Sequence, residues 1–267
     1  FGKLYIGENP TPEHNKYLII HLNFAEVSAG LDDYKRGLDA HCNIMFGYFC
    51  DIYSHLLPSG TKEEMNQKDG AVEQLRFLCQ KAAEAGLKIY LFIDEYDNFT
   101  NMILANEEHL VRYRKQTHGE GYLRKFFNTI KGAAGGALAR VFVTGVSPVT
   151  MDDLTSGFNI GTNYSLNPRF NEMTGFTEEE VREMLEYYAS VLPFNHSVDE
   201  LIKVMKPWYD NYCFAEEEYG KTTMYNSIMV LNFVSNYIDC GYQIPKRMIE
   251  SNIRMDYDKM RMLIRHD

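Results

Sequence analysis

Two adjacent acids, Asp94 and Glu95, are the residues of this sequence best suited to chemistry, because they directly follow the apolar run Ile89 to Ile93. A run of this composition predicts a buried β-strand, which would bring both carboxylates to the carboxyl edge of a sheet. There, one carboxylate can hold the magnesium that bridges nucleotide phosphates, while the next polarises an attacking water molecule. The alternative is an apolar strand whose two terminal acids are only solvated. This motif alone does not distinguish a magnesium-binding site from that alternative.

A second apolar strand, predicted over residues 140–145, carries the polar residue Thr144 near its end. Phosphate-loop ATPases place a sensor of the γ-phosphate and the attacking water at this position. The helix predicted over residues 121–134 supplies the expected strand–helix–strand spacing between the two polar strand ends. These two features favour ATP hydrolysis over the solvated-acid alternative.

A phosphate-binding loop of the form G-x-x-x-x-G-K-[ST] is missing from the sequence. The near match Ala215 to Thr222 has Ala in place of the first Gly, three acids where phosphates would lie, and no predicted strand before it. A nucleotide cradle is therefore expected upstream of Phe1, in a longer product from which this chain, which lacks an initiator Met, is derived. By itself the chain is expected to bind ATP negligibly and to be inactive.

Three short apolar runs predict one parallel sheet, with strand A over residues 16–24, strand B over 88–93 and strand C over 140–145. Amphipathic helices are predicted over residues 32–57 and 70–85, between strands A and B. Continuous apolar strands alternating with helices indicate an α/β fold whose sheet is covered on both faces. Strand B is expected between strands A and C, and strand C beside the place of a missing phosphate-loop strand.

The second half of the sequence has signals for helices in place of the alternating strands and helices of the first half. Capping boxes at Thr177 to Glu180 and at Ser197 to Glu200 predict the starts of two consecutive helices. The chain is therefore expected to contain an α/β phosphate-loop NTPase-like core over residues 1–171, truncated at its start, followed by a mainly helical subdomain over residues 172–267. The linker between them is expected at residues 155–169.

The composition excludes several classes of protein. With 27 Lys and Arg against 37 Asp and Glu, the net charge of -10 makes a basic face for non-specific duplex binding an unfavourable interpretation. Five cysteines without a C-x-x-C pair predict neither a disulfide framework nor a zinc site, and fit a reducing cytoplasm. No apolar run approaches the roughly 20 residues that span a bilayer, so no membrane partner is expected.

The sequence also resembles a family, the bacterial AAA-ATPase-like proteins, which are often fused at the C-terminal end to a PD-(D/E)XK nuclease-like domain. The resemblance covers nearly the whole chain, and its most specific block runs from Thr144 to Ile160. The stretches that carry it are Leu4 to Thr11, Ile93 to Asp97, Thr144 to Thr150, Thr155 to Ile160, Thr174 to Glu178, and Tyr225 with Asn226.

The resemblance implies roles for the three polar residues. Asp94 would hold magnesium and thereby bind the nucleotide, Glu95 would activate water, and Thr144 would act as a sensor-like catalytic residue. It also implies ATP and Mg²⁺ as cofactors of the full-length protein, a phosphate-loop Lys-Ser shortly before Phe1, and a loop over residues 144–160 that couples nucleotide state to the helical subdomain. No nuclease signature is visible, because no Lys follows the acids in the required E-x-K position.

Two other functions stay open at this stage. One is a degenerate NTPase-like scaffold that mediates protein interaction, and the other is a metal-dependent nuclease that uses the acids of strand B with two metals. Arg112 and Arg114 are candidate fingers for a neighbouring subunit, although a solvated helix face is the favoured interpretation. The sequence leaves open the oligomeric state, any contact with nucleic acid, and what ATP turnover would drive.

Overall fold

A computed structural model describes residues 2–27, 33–98, 121–145 and 161–249 of the chain. These residues fall into two compact units, one ending at Gly145 and the other beginning at Gly161. The first unit is α/β and the second is mainly helical. The predicted fold class is therefore confirmed at the level of an α/β protein with a parallel sheet, while the domain boundary between residues 171 and 172 stays a prediction.

The first unit is built on a three-stranded parallel sheet. Its strands are β1 (Leu18–Asn23), β2 (Ile89–Asp94) and β3 (Leu138–Val143), with β2 in the centre. These strands correspond to the predicted strands A, B and C, so both the parallel direction and the predicted order are confirmed. The order matters because it places the acid-bearing strand between two neighbours that also end at the same edge.

Helices of the first unit pack their apolar stripes on this sheet. Buried side chains of four helices join the alternate residues Leu18, Ile20 and Leu22 of β1 in one continuous core. No helix in the described ranges is both long enough and apolar enough to cross a membrane. The helices are α1 (Tyr5–Glu8), α2 (Tyr34–Ile52), α3 (Thr61–Asn66), α4 (Gly70–Glu84) and α5 (Tyr122–Ala133).

The described helices contribute to a core on the face of the sheet that carries Leu18, Ile20 and Leu22, and coverage of both faces stays a prediction. On the opposite face, Ile19 remains 41% exposed and Phe142 remains 40% exposed. Successive side chains of a strand point to opposite faces, and burial along β1 alternates accordingly. The sequence concealed this alternation, because Ile19, Tyr90 and Phe92 are as apolar as the core residues between them.

The second unit packs three helices around its own core. The predicted capping boxes are confirmed: the side chain of Thr177 caps one helix and that of Ser197 caps the next, each paired with a Glu three residues later. A small antiparallel pair of strands lies between the second and third helices. The elements are α6 (Glu178–Val191), α7 (Val198–Tyr209), β4 (Asp210–Tyr212), β5 (Met224–Tyr225) and α8 (Ser227–Asp239).

Candidate functional site

A polar residue stands at the carboxyl end of each strand of the first unit's sheet. Asn23, the last residue of β1, pairs in register with Asp94, the last residue of β2. On the other side, the backbone N–H of Thr144 donates to the carbonyl of Ile93 at 2.9 Å and continues the ladder just past β3. Asn23, Asp94 and Thr144 therefore lie side by side at one edge, where open α/β sheets place their ligands.

Two of the predicted site residues are in direct contact. The hydroxyl of Thr144 donates a hydrogen bond to Oδ1 of Asp94. The same oxygen accepts the backbone N–H of Glu95 at 3.0 Å. Asp94 is half-buried, and its second oxygen, Oδ2, receives no hydrogen bond from the described residues. The carboxylate is thus fixed through one oxygen and keeps the other for a ligand.

Glu95, the third predicted site residue, begins a sharp turn. Its φ of 52° lies in the left-handed region, which non-glycine residues rarely occupy. Its carbonyl accepts the N–H of Asn98 at 2.9 Å, and the next N–H, that of Tyr96, donates to the carbonyl of Thr144 at 3.1 Å. The Glu95 side chain is half-buried and forms no ion pair with any described residue. The structure therefore places Glu95 directly beside the contact between Asp94 and Thr144.

The turn after β2 is packed tightly against the end of β3. A Cβ atom added to Gly145 would lie 2.5 Å from Oδ1 of Asp97 and 2.5 Å from the ring of Tyr96. Such distances are far below van der Waals contact, so only glycine allows this approach. Asp97 is fully buried and Tyr96 is 5% exposed, which shows that the turn is an internal part of the fold.

Sequence reasoning missed Asn23, Asn98 and the packing role of Gly145. Asn23 had a detectable signal, since it ends an apolar run just as Asp94 and Thr144 do. Asn98 and Gly145 had none, because their contacts join parts of the chain that are distant in sequence. The predicted coupling loop beyond Gly145, together with Arg112 and Arg114, lies outside the described residues.

The polar side chains at the strand ends include one carboxylate, that of Asp94, that could bind a metal ion. Among the described residues, no group of three or more His, Cys, Asp and Glu side chains is arranged to hold a metal. Magnesium is usually held by one or two carboxylates together with phosphate oxygens of the substrate, rather than by a cage of protein ligands. Asp94, with Oδ2 unengaged by described residues and a hydroxyl beside it, fits this nucleotide-dependent mode of binding.

Two other places were candidates for binding a nucleotide: the stretch Ala215 to Thr222, which partly matches a phosphate-binding loop, and a depression on the surface of the first unit. Neither of them has the features of a nucleotide site. Within the stretch Ala215 to Thr222, Ala215 is buried, residues 216–218 form a short 3-10 helix, and the Lys221 ammonium donates to the Glu217 carbonyl at 2.6 Å. This lysine is therefore engaged by its own loop. The depression, of about 450 Å³, lies between α4 and α5 and contains none of the three predicted site residues.

Comparison with known proteins identifies the family to which this chain is similar. A family model described as AAA-ATPase-like, "Predicted AAA-ATPase", matches residues 1–155. Comparisons with curated proteins and with solved structures give no match. The matched residues include Asn23, Asp94 and Thr144, the three polar strand ends. Because the match covers more than half of the 267 residues, the chain belongs to the predicted AAA-ATPase family.

Proposed function

We propose that the chain is the ATP-binding and ATP-hydrolysing module of an AAA-ATPase-like protein. In this proposal Asp94 holds the Mg²⁺ of bound ATP, Glu95 is the general base and Thr144 is a sensor-like catalytic residue. The observation that carries the proposal is the hydrogen bond between Thr144 and Asp94, next to Glu95, at the carboxyl edge of a parallel sheet. The family match supports an ATPase-like module at a coarse level.

Asp94 supplies a carboxylate that is already oriented. Two donors hold Oδ1, so Oδ2 keeps a defined direction without rearrangement of the strand end. When bound, magnesium would neutralise charge on the β- and γ-phosphates. Asp94 has no cationic partner among the described residues, so its negative charge is not neutralised by them. This favours a divalent cation beside it.

Glu95 has the chemistry of a general base. A general base removes a proton from the attacking water, which requires a carboxylate that is ionised and close to the reaction centre. No described residue pairs with the Glu95 carboxylate, and its backbone is fixed by the bonds that Asp94 and Asn98 form with it. Its position one residue after Asp94 keeps it close to nucleotide bound there.

In this proposal the hydroxyl of Thr144 links the hydrogen bonding of Asp94 to the presence of the γ-phosphate. Its single O–H proton is donated to Asp94 in this structure. A γ-phosphate oxygen near Thr144 would compete for that proton, since a hydroxyl carries only one. The presence or absence of the γ-phosphate would then change the hydrogen bonding of Asp94, which is the behaviour expected of a sensor.

We also propose a cytoplasmic location, with which cysteines that form no disulfide are consistent. All five cysteines are free, and Cys42, Cys50 and Cys79 are buried. Burial raises the pKa of the Cys79 thiol to about 11, which keeps it protonated and unreactive near neutral pH. The buried thiols of the first unit therefore act as small apolar core residues.

Hydrolysis of ATP by the full-length protein with magnesium tests the proposal. We expect Glu95→Gln to retain nucleotide binding while turnover falls by on the order of 10²-fold or more, as for loss of a general base. Glu63→Gln is the matched control, because Glu63 is an exposed carboxylate on α3 of the same unit. Unchanged turnover in Glu95→Gln would reject Glu95 as the base. Absence of hydrolysis in the unmodified full-length protein would favour the scaffold function.

A further inference from the structure

The backbone of Glu95 adopts a conformation that its residue type does not favour. Its φ of 52° lies in the left-handed region, where the Cβ atom of a non-glycine residue comes too close to the backbone. Such conformations persist where the surrounding structure enforces them, and they occur preferentially at functional sites. The contacts that hold the turn after β2 therefore determine where the Glu95 carboxylate lies.

Asn98 forms two of these contacts. Its backbone N–H donates to the carbonyl of Glu95 at 2.9 Å and closes the turn. Its side-chain amide, Nδ2, donates to the carbonyl of Phe24 at 3.2 Å, just beyond the end of β1. One residue thus connects the peptide unit after Glu95 to the neighbouring strand, across 74 positions of sequence.

The acceptor of this bond is itself fixed. The ring of Phe24 is 1% exposed and lies 6.2 Å from the ring of Phe126 in the core. The Asn23 side chain accepts the N–H of Ala25 at 2.9 Å and shapes the short 3-10 turn that contains the Phe24 carbonyl. Asn98 therefore binds to an anchored point of the core and not to a loose loop.

The opposite side of the turn is held by β3. The N–H of Tyr96 donates to the carbonyl of Thr144, and Gly145 packs against Tyr96 and Asp97. The turn is thus fixed on both sides, by hydrogen bonds to the exits of β1 and β3. From this geometry we infer that Asn98 is a positioning residue that holds the Glu95 carboxylate in place for hydrolysis, an inference that rests on the proposed function.

The test replaces the amide donor and leaves the size of the side chain unchanged. Asn98→Asp removes the N–H that reaches Phe24, whereas Asn43→Asp makes the same chemical change at a side chain of α2. In the full-length protein we expect kcat for ATP to fall about tenfold in Asn98→Asp, because misplaced catalytic groups lose rate steeply. KM should change less than about twofold, since Glu95 acts after nucleotide is bound. Asn43→Asp should match the unmodified protein.

A double variant separates positioning of Glu95 from general damage to the fold. If Asn98 acts through Glu95, adding Asn98→Asp to Glu95→Gln should cause no further loss of kcat. An equal further loss in that background would overturn the inference, as would an unchanged kcat in Asn98→Asp. Asn98→Ala provides a second variant, and circular dichroism checks that each variant is folded. Unchanged turnover in Glu95→Gln alone would instead reject Glu95 as the general base, and absence of hydrolysis in the unmodified protein would reject the proposed function, so these failures are distinguishable from failure of the inference about Asn98.

Discussion

Acidic residues in the two units are used in different ways. In the second unit, Glu180 accepts the N–H of Thr177 at 2.8 Å, and Glu200 accepts the N–H of Ser197 at 2.8 Å. Both carboxylates are thus engaged in helix caps. In the first unit, the pair Asp94 and Glu95 has no such partners for most of its oxygens among the described residues. The comparison teaches that a cluster of acids becomes a candidate site only where the fold leaves its oxygens unengaged.

The two units also use glycine for close packing in comparable ways. A Cβ at Gly145 would lie 2.5 Å from the Asp97 carboxylate, and one at Gly175, whose φ is 93°, would lie 2.8 Å from the carbonyl of Tyr225. Alanine is therefore excluded sterically at both positions. The difference is in what would move: the turn that carries Glu95 in the first unit, and the β5 backbone in the second.

Substitution of these glycines gives the largest expected effect. We expect Gly145→Ala to displace the turn after β2 and to lower ATP turnover of the full-length protein by on the order of 10²-fold, as for a shift of about 1 Å at a catalytic group. Gly175→Ala should lower stability and leave turnover per folded molecule unchanged. Fluorescence of Trp208, the single tryptophan of these 267 residues, follows unfolding of the second unit when it is measured on this chain. Equal losses of turnover in both variants would show that close glycine packing in the first unit is no more important for catalysis than that in the second.

A smaller effect on turnover and stability is expected when either of two asparagines that cap 3-10 turns is replaced by alanine. Asn23 accepts the N–H of Ala25 at 2.9 Å, and Asn167 accepts the N–H of Arg169 at 3.0 Å, each at the start of a 3-10 turn. Loss of either cap should cost about 1 kcal/mol of unfolding free energy. Only Asn23→Ala should also lower kcat, by several-fold, because its turn contains the carbonyl that accepts the Asn98 amide.

Denaturant unfolding and ATP turnover, measured on both asparagine variants of the full-length protein, check this expectation. A loss of kcat in Asn167→Ala equal to that in Asn23→Ala would show that turnover responds to stability in general. An unchanged kcat in both would show that the Phe24 carbonyl does not need the cap at Asn23 to remain in place.

Local patterns were sufficient to predict much of the fold. Short apolar runs predicted three strands, and alternation with helices predicted their parallel direction. The Ser and Thr followed by Glu three residues later predicted the starts of α6 and α7, because a capping box depends on neighbouring residues only. The meeting of Asp94 and Thr144 followed from the order of the strands.

What the sequence did not predict depends on contacts between distant residues. The left-handed backbone of Glu95 is imposed by Asn98, Thr144 and their neighbours, and no propensity of glutamate indicates it. The sequence also did not indicate which apolar side chains of the strands are buried by the described residues. Ile19 is 41% exposed although it is as hydrophobic as its buried neighbours, since hydrophobicity predicts a strand but not which of its faces is packed.

The smallest expected effect concerns an ion pair of the second unit. The Lys206 ammonium lies 2.6 Å from Oε2 of Glu178, and the hydroxyl of Tyr225 donates to the same oxygen at 3.3 Å. The hydrogen bond from Lys206 is the main reason that the pKa of Glu178 is lowered from its ordinary value of 4.5. The folded unit therefore binds this proton less readily than the unfolded chain does.

Lowering the pH should consequently weaken the second unit through Glu178. The stabilisation is present above the pKa of the unfolded chain and is lost as the pH falls through the lower pKa of the folded state. Both side chains are about half exposed, so the effect should stay below about 1 kcal/mol and shrink with added salt. Lys206→Gln should reduce the loss of stability between about pH 6 and about pH 3, measured by denaturant unfolding with Trp208 fluorescence. Lys203→Gln, at an exposed lysine of the same helix, should leave it unchanged. If both variants show the same acid dependence, the carboxylates of the second unit are less engaged than their hydrogen bonds indicate, and the contrast with Asp94 and Glu95 is weaker than the structure suggests.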